Sequence, residues 1–287
     1  MRILVTGGLG FVGKNLIKKL VKDGHDVVCV DDYSIGNGES KIDGCQYYIV
    51  DVNYIENAFK NYEIDKKFDI CFHLAALSRI QPSFKNPIET FNANTAGCLV
   101  IAEWARSVGA KVIYSGSSSR WHDPFKSPYA CFKHMGEEIF KLYKKVYALN
   151  AEIVRFYNVY GPGEIVDGDW AAVIGLWRRQ VREGQPITIV GDGEQRRDFT
   201  HIDDIVDGLC KIAFSDEKHE DAWELGTGKN YSLNEVYEMF KNRFGVDKIN
   251  LPDQPGNYRK TIRENDDSLI RLQWNPIDKL KTYINNL

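Results

Sequence analysis

The chain is predicted to be α/β: a doubly wound parallel sheet followed by a smaller, mixed carboxyl-terminal region. Three observations carry this. Short apolar runs alternate with helical patterns through the first half, as in a parallel sheet covered on both faces. A glycine-rich turn, Gly7-x-x-Gly10-x-x-Gly13, separates the first run from the first helix. After Gly161-Pro162-Gly163 the alternation breaks down.

In order along the chain, Ile3-Leu4-Val5 reads as the first strand and leads into the glycine turn. The helix after it carries Phe11, Leu16, Ile17 and Leu20 on its apolar side. Val27-Val28-Cys29-Val30 is a second buried strand, Tyr47-Tyr48-Ile49-Val50 a third, Ile70-Cys71-Phe72 a fourth and Val112-Ile113-Tyr114 a fifth. A helix bearing Leu99, Ile101, Ala102 and Trp104 precedes the fifth strand. Another runs from about Tyr129 to Tyr147, and Glu152-Ile153-Val154-Arg155 returns to the sheet. Beyond the break come short strands such as Ile187-Thr188-Ile189, a helix from about Asp203 to Ala213, and a capping box, Ser232-x-x-Glu235, opening a further helix.

The composition is that of an ordinary soluble globular protein rather than a nucleic-acid or membrane protein. Of 287 residues, 43% are hydrophobic and 27% charged; 37 basic side chains face 40 acidic ones, for a net charge of −3. There is no polybasic tract and no apolar run approaching the ~20 residues of a membrane span. The six cysteines form no C-x-x-C pair and no metal spacing; Cys29, Cys71 and Cys98 lie in apolar runs and read as small core residues. Met1 is followed almost at once by the first strand, which leaves no room for a signal peptide. A cytoplasmic location is expected.

The chemistry-bearing residues sit where the fifth strand ends. A serine cluster, Ser115, Ser117, Ser118 and Ser119, follows Lys111-Val-Ile-Tyr114, and a Tyr129-x-x-x-Lys133 unit lies on the next helix. Residues four apart share a helix face, so the Lys133 ammonium can reach the space beside the Tyr129 phenol. A phenol of pKa near ~10 is a poor base at neutral pH; a close cation favours its ionised form. Tyr62/Lys66 and Tyr237/Lys241 have the same spacing but lack the strand-to-serine setting.

The glycine turn supplies the second half of the chemistry. Glycine permits a tight turn and close backbone approach, and the helix amino terminus offers unpaired N–H groups to a pyrophosphate. Asp31 ends the second strand eighteen residues after Gly13, where a carboxylate accepts from adenosine ribose hydroxyls and repels a 2′-phosphate, so NAD is preferred over NADP. Asp32 beside it reads as solvated. Asp51, after the third strand, is placed to accept from an adenine amino group or to cap a helix. The first half is thus expected to be a Rossmann-type domain for a nicotinamide enzyme that moves hydride at a carbinol carbon.

With these residues placed, the sequence resembles the extended short-chain dehydrogenase/reductases, the NAD-dependent nucleotide-sugar epimerase/dehydratase family, along nearly its whole length. The resemblance rests on Thr6-Gly-Gly-Leu-Gly-Phe-Val-Gly13, Asp51-Val52, His73-Leu-Ala-Ala76, Asn94-x-x-Gly97, the serines, Tyr129/Lys133, Arg155-Phe-Tyr-Asn-Val-Tyr-Gly-Pro162, Gly191-Asp-Gly193, Arg197-Asp-Phe199 and Leu272-x-Trp274-x-Pro276. It implies a catalytic set of Ser117, Tyr129 and Lys133. It also implies cofactor contacts from Gly7, Gly10, Phe11, Val12, Gly13, Asp31, Asp32, Asp51, Val52, Leu74, Ala75, Ala76, Asn94 and Lys133. Substrate contacts are expected from Ser78, Ser117, Ser118, Tyr129, Asn158, Arg197, Arg259 and Thr261, with Asn158, Arg197 and Arg259 on the nucleotide diphosphate. Residues 1–160, with a return segment of about 197–225, would bind NAD; 161–196 and 226–287 would bind the nucleotide sugar. No metal is expected. A homodimer is, through helices near 92–108 and 129–147.

Within the family, dehydratases carry an Asp-Glu pair just after the catalytic hydroxyl, and decarboxylating members keep a glutamate there. This chain has Ser118, Ser119, Arg120 and Trp121, which points to C4 epimerisation, with a 4-keto-sugar reductase and a non-catalytic NAD sensor as rivals. Thr261 replaces the bulky tyrosine of epimerases restricted to plain hexoses, leaving room for a 2-acetamido group. Only eleven residues separate Ser117 from Tyr129, a connection shorter than the family's usual one; either that side of the sugar site is open or Trp121 fills it. Gln254 stands where relatives often have arginine.

Overall fold

The computed structural model describes residues 1–35 and 41–287. Seven parallel strands build the large sheet: β1 (Arg2–Thr6), β2 (Asp26–Asp31), β3 (Cys45–Ile49), β4 (Ile70–His73), β5 (Lys111–Ser117), β6 (Ala151–Phe156) and β10 (Trp223–Leu225), in the order β10-β6-β5-β4-β1-β2-β3. All six strands expected from the apolar runs are present, with Val50 just outside β3. The seventh, β10, is three residues long and too short for a pattern to betray it.

Side chains alternate across this sheet, so each strand feeds two cores. Leu4, Val28, Cys71, Val112 and Ile153 face one side, where α2 (Ile55–Asn61), α5 (Gly97–Val108) and α6 (Pro128–Tyr147) pack. Ile3, Val5, Val27, Cys29, Ile70, Phe72, Ile113 and Val154 face the other. There α1 (Phe11–Lys22) contributes Leu16, Ile17 and Leu20, and α8 (Ile202–Phe214) contributes Ile205, Leu209 and Ile212. Cys29, Cys71 and Cys98 are fully buried and unpaired.

The remaining segments form a smaller body. Strands β7 (Asn158–Tyr160), β9 (Arg196–His201) and β11 (Asn230–Ser232) make one small sheet, and β8 (Ile187–Val190) pairs with β12 (Lys248–Leu251). Tyr160, Trp177, Phe199 and Phe240 sit in their shared core. Segment 197–225 therefore divides: β9 belongs to the small sheet, and only α8 and β10 rejoin the large one. The Ser232/Glu235 capping box is formed in both directions at the start of α9 (Leu233–Phe244). Among the described residues no helix is long and apolar enough to cross a membrane.

Candidate active site

The chain reverses direction across the sheet between β1 and β4, with β2 and β3 on one side and β5, β6 and β10 on the other. Such a switch point opens a crevice at the carboxyl ends of the strands. Here it is a cavity of about 1040 Å³, lined from the glycine turn at one end to Arg197 and Tyr258 at the other.

At the first end, Gly7 has φ +73°, and a Cβ there would lie 2.5 Å from Ala75 N; a Cβ on Gly13 would lie 2.2 Å from Gly7 O. Both positions therefore demand glycine. No side chain caps α1 at Gly10, so its leading N–H groups are left to a ligand. Asp31 does more than expected. Its carboxylate accepts from the N–H of Leu9 (2.9 Å) and of Tyr33 (2.9 Å), tying the end of β2 to the turn. Burial pushes its pKa up, and the two N–H groups oppose that. These residues fit a dinucleotide: a backbone cradle with the dipole of a helix, and a carboxylate for the ribose. Phe11, Val12, Asp32, Asp51, Val52, Leu74, Ala75 and Ala76 line the same end.

Two expected contacts need restating. Asp51 caps a short 3₁₀ turn, and one of its oxygens takes both the backbone and side-chain N–H of Asn53, each at 2.8 Å. Asn94 lies outside the lining of the cavity. It sits in a π-helical stretch, Asn92–Ala96, just before α5. Its amide exchanges two hydrogen bonds with the backbone of Leu77, at 2.8 and 2.9 Å. Asn94 therefore holds the 74–79 segment in place.

At the centre, the Tyr129 hydroxyl donates to Ser117 Oγ at 3.2 Å, and Ser117 Oγ also accepts from Ser119 N–H at 3.1 Å. With both acceptances made, the Ser117 hydrogen is left for a substrate oxygen. Ser127 caps α6 through Ala130 N–H, and Tyr129 N–H donates to Ser83 Oγ at 3.1 Å, which fixes the start of the helix. Lys133 is buried in the same wall, its Nζ donating to Ser115 O at 2.8 Å, and burial lowers its pKa to about 8. Burial raises the Tyr129 pKa; Ser117 and the charge of Arg79 oppose it. Lys133 is held against the strand through Ser115 O. The two other tyrosine–lysine spacings come to nothing: Tyr62 ends α2 before a left-handed Glu63, and Tyr237 is buried with its hydroxyl on Val246 O.

At the far end, Asn158 donates to Asp198 O (3.1 Å) and Thr261 Oγ1 (3.2 Å), and both Asn158 and Thr261 line the cavity with Ser78 and Ser118. Arg197 faces it as well, bonded to Arg196 O and in no ion pair among the described residues; burial lowers its pKa to about 10. Arg259 does not join it. Its guanidinium is exposed and pairs bidentately with Asp192 at 2.7 and 2.8 Å, away from the cavity lining. Trp121 also turns away, donating to Glu224 and covering Arg155, so it does not fill the sugar site. Tyr258 occupies that side instead, stacked on His122 with ring centroids 4.0 Å apart.

The sequence reading missed Arg79, Tyr258 and Glu164. Arg79 follows the recognised 73–76 motif by three positions, just before the helix Ile80–Lys85. Glu164 brings a carboxylate to the wall from a loop, one oxygen held by Arg178 and Tyr283, each at 2.9 Å.

Comparison with known proteins agrees with this architecture. Residues 3–226 match the model of the NAD dependent epimerase/dehydratase family. The chain is 30% identical to a UDP-glucose 4-epimerase of Mycolicibacterium smegmatis, over 96% of this chain and 94% of the relative. It is 30% identical to a UDP-glucuronate 4-epimerase of Thermodesulfobacterium geofontis, over 98% and 90%. A crystal structure of a UDP-glucose 4-epimerase with UDP-glucose from Thermotoga maritima superposes with a TM-score of 0.91, at 27% identity, covering 99% of this chain and 96% of that one. The glycine cradle, the Ser-Tyr-Lys wall and these matches agree: the chain belongs to the NAD dependent epimerase/dehydratase family, and NAD is its cofactor.

Proposed function

We propose that the protein epimerises a nucleotide-diphosphate hexose at C4. The observation that carries this is the Tyr129–Ser117 hydrogen bond, in one cavity with Lys133, the glycine cradle and Arg197, which has no ion pair among the described residues. Ser117 would hold the C4 hydroxyl while Tyr129 takes its proton, and NAD supplies reversible two-electron chemistry at C4. The resulting 4-keto carbon is planar and has lost its configuration. Arg197 would keep the diphosphate anchored while the sugar turns over, and Tyr129 would return the proton once C4 is reduced from its other face. The cycle is redox-neutral, so NAD acts in catalytic amount.

Elimination is disfavoured because Ser118 and Ser119 follow Ser117 where an acidic pair would be needed. A 4-keto reductase would need net reducing equivalents. The candidate substrates are UDP-glucose/galactose and UDP-GlcNAc/GalNAc, the second pair because Thr261 is small. Purified protein incubated with UDP-sugars and no added cofactor, followed by anomeric proton NMR, tests the reading: epimer formation supports it. Reduction of 4-keto sugars alone, with NADH consumed, would replace it with the reductase, and inertness with NAD bound would make the protein a sensor.

The assembly we propose is a homodimer through α5 and α6, which leave Leu99, Met135, Leu142 and Val146 exposed. Sedimentation at a single protomer mass would rule it out.

A further inference from the structure

The short connection between β5 and α6 brings His122 against Tyr258. The His122 N–H donates to Ser119 O at 3.0 Å, and Ser119 N–H donates to Ser117 Oγ at 3.1 Å. The imidazole is therefore fastened to the same turn that carries the Ser117 hydroxyl. Its ring lies almost parallel to that of Tyr258, 11° apart in plane with centroids at 4.0 Å. Tyr258 lines the cavity and His122 does not, so the histidine stands behind the phenol.

The segment that carries Tyr258 is tied down on both sides of it. Gln81 Nε2 donates to Pro255 O at 2.8 Å. A Cβ on Gly256 would lie 2.7 Å from Ile80 Cγ2 and 3.3 Å from Lys126 O, so the chain there runs close against α3 (Ile80–Lys85) and the approach to α6. Beyond Tyr258, Arg196 N–H donates to Arg259 O at 2.9 Å, and Thr261 N–H donates to Arg196 O at 3.0 Å. A ring held this way has little freedom left to lose on binding. Tyr258 is 7% exposed and its hydroxyl oxygen is buried. What it offers the cavity is carbon, not its polar tip.

A pyranose has polar edges, but its faces are made largely of C–H groups, and these pack favourably on the electron-rich face of an aromatic ring. We infer that Tyr258, backed by His122, is the apolar wall on which the hexose ring of the substrate packs. This rests on the nucleotide-sugar reading above and adds a specificity-determining residue to it. Apolar contact is non-directional, which suits a sugar that must present both faces of C4. A hydrogen bond made in one pose is broken in the other, whereas a packed ring keeps its contact. The links through His122 and Ser119 to Ser117 put the wall beside the hexose rather than the nucleotide.

The test compares binding of UDP-glucose and UDP by titration calorimetry, with bound NAD and thermal unfolding followed in each variant. Y258A should raise the dissociation constant of UDP-glucose roughly tenfold and leave that of UDP within about twofold, the scale of a lost apolar contact in a pocket. Y258L should fall between, and Y258F, which restores the ring without the hydroxyl, should recover the affinity. H122A should cost UDP-glucose about threefold and nothing further in a Y258A background, because it acts through the phenol. A loss in Y258F equal to that in Y258A overturns the assignment and gives the binding to the hydroxyl. Equal losses for UDP and UDP-glucose also overturn it, and give Tyr258 to the nucleotide. Unchanged UDP-glucose affinity in both Y258A and Y258L leaves no wall at all. If Y258A weakens UDP-glucose alone and the wild type forms no 4-epimer, the assignment stands and the epimerase reading fails. If the wild type forms the epimer and Y258A binds UDP-glucose as tightly as it does, the reverse holds.

Discussion

Tyr129 and Ser117 meet across 3.2 Å, joining the first turn of α6 to the last residue of β5. The backbone that carries the phenol is held by the Ser127 cap on Ala130 N–H and by Ser83, which accepts from Tyr129 N–H. Tyr129→Phe keeps the ring and removes the proton carrier. Turnover should fall by about 10²- to 10⁴-fold, the usual worth of a positioned acid–base group. Bound NAD and the thermal unfolding curve should be unchanged. Near-wild-type turnover would remove Tyr129 from the chemistry.

Arg197 and Arg259 should separate cleanly. Arg197 is the cation turned to the cavity, so Arg197→Met should raise the dissociation constant of a UDP-sugar by roughly 30-fold or more. Arg259 is exposed and already neutralised by Asp192, so Arg259→Met should leave that constant within about twofold. Titration calorimetry reads both. An equal loss in both variants would mean that Arg259 leaves Asp192 when substrate binds.

Thr261 controls the room beside Asn158, whose amide it accepts at 3.2 Å. Thr261→Tyr should reduce turnover of UDP-GlcNAc relative to UDP-glucose by roughly tenfold or more, within the range for steric exclusion from a pocket. No turnover of acetamido sugars by the wild type would mean that the small residue serves another purpose.

Behind the site, fully buried Arg155 is shared by Glu137 at 2.9 Å and Asp221 at 2.7 Å. Burial pushes the Asp221 pKa up, but hydrogen bonds from Arg155 and Lys141 override it and hold the group at about 2. An unfolded aspartate titrates near ~3.9. The folded pKa is the lower of the two, so the stabilisation is complete above about pH 4 and is lost as pH falls toward 2. Asp221→Asn should therefore be less stable than wild type in urea at pH 7. The gap should close across that acid window; a gap independent of pH would mean that Asp221 acts through packing alone.

Much of the site was legible because it is local in the chain. Gly7 to Gly13, Asp31 at the end of β2, and Ser117 with Tyr129 and Lys133 are each set by spacing along one strand, turn or helix. Short continuous apolar runs marked the longer strands for the same reason. What escaped had no local signature. The three-residue β10 shows no period, and Asn94 shares motif spacing with cofactor contacts while spending its amide on Leu77.

By itself, then, the amino-acid sequence determined the sheet, the glycine turn and the Ser117, Tyr129 and Lys133 spacing, because backbone geometry converts spacing directly into position. Only the tertiary structure decided which charges remain to meet a ligand. Arg259 and Asp192 are 67 residues apart and cancel each other. Among the described residues Arg79 hydrogen-bonds the carbonyls of Ser78 and Trp170, the second 91 residues away. A charge is available to a substrate only when no opposite charge has been folded against it, and that is settled by neighbours in space.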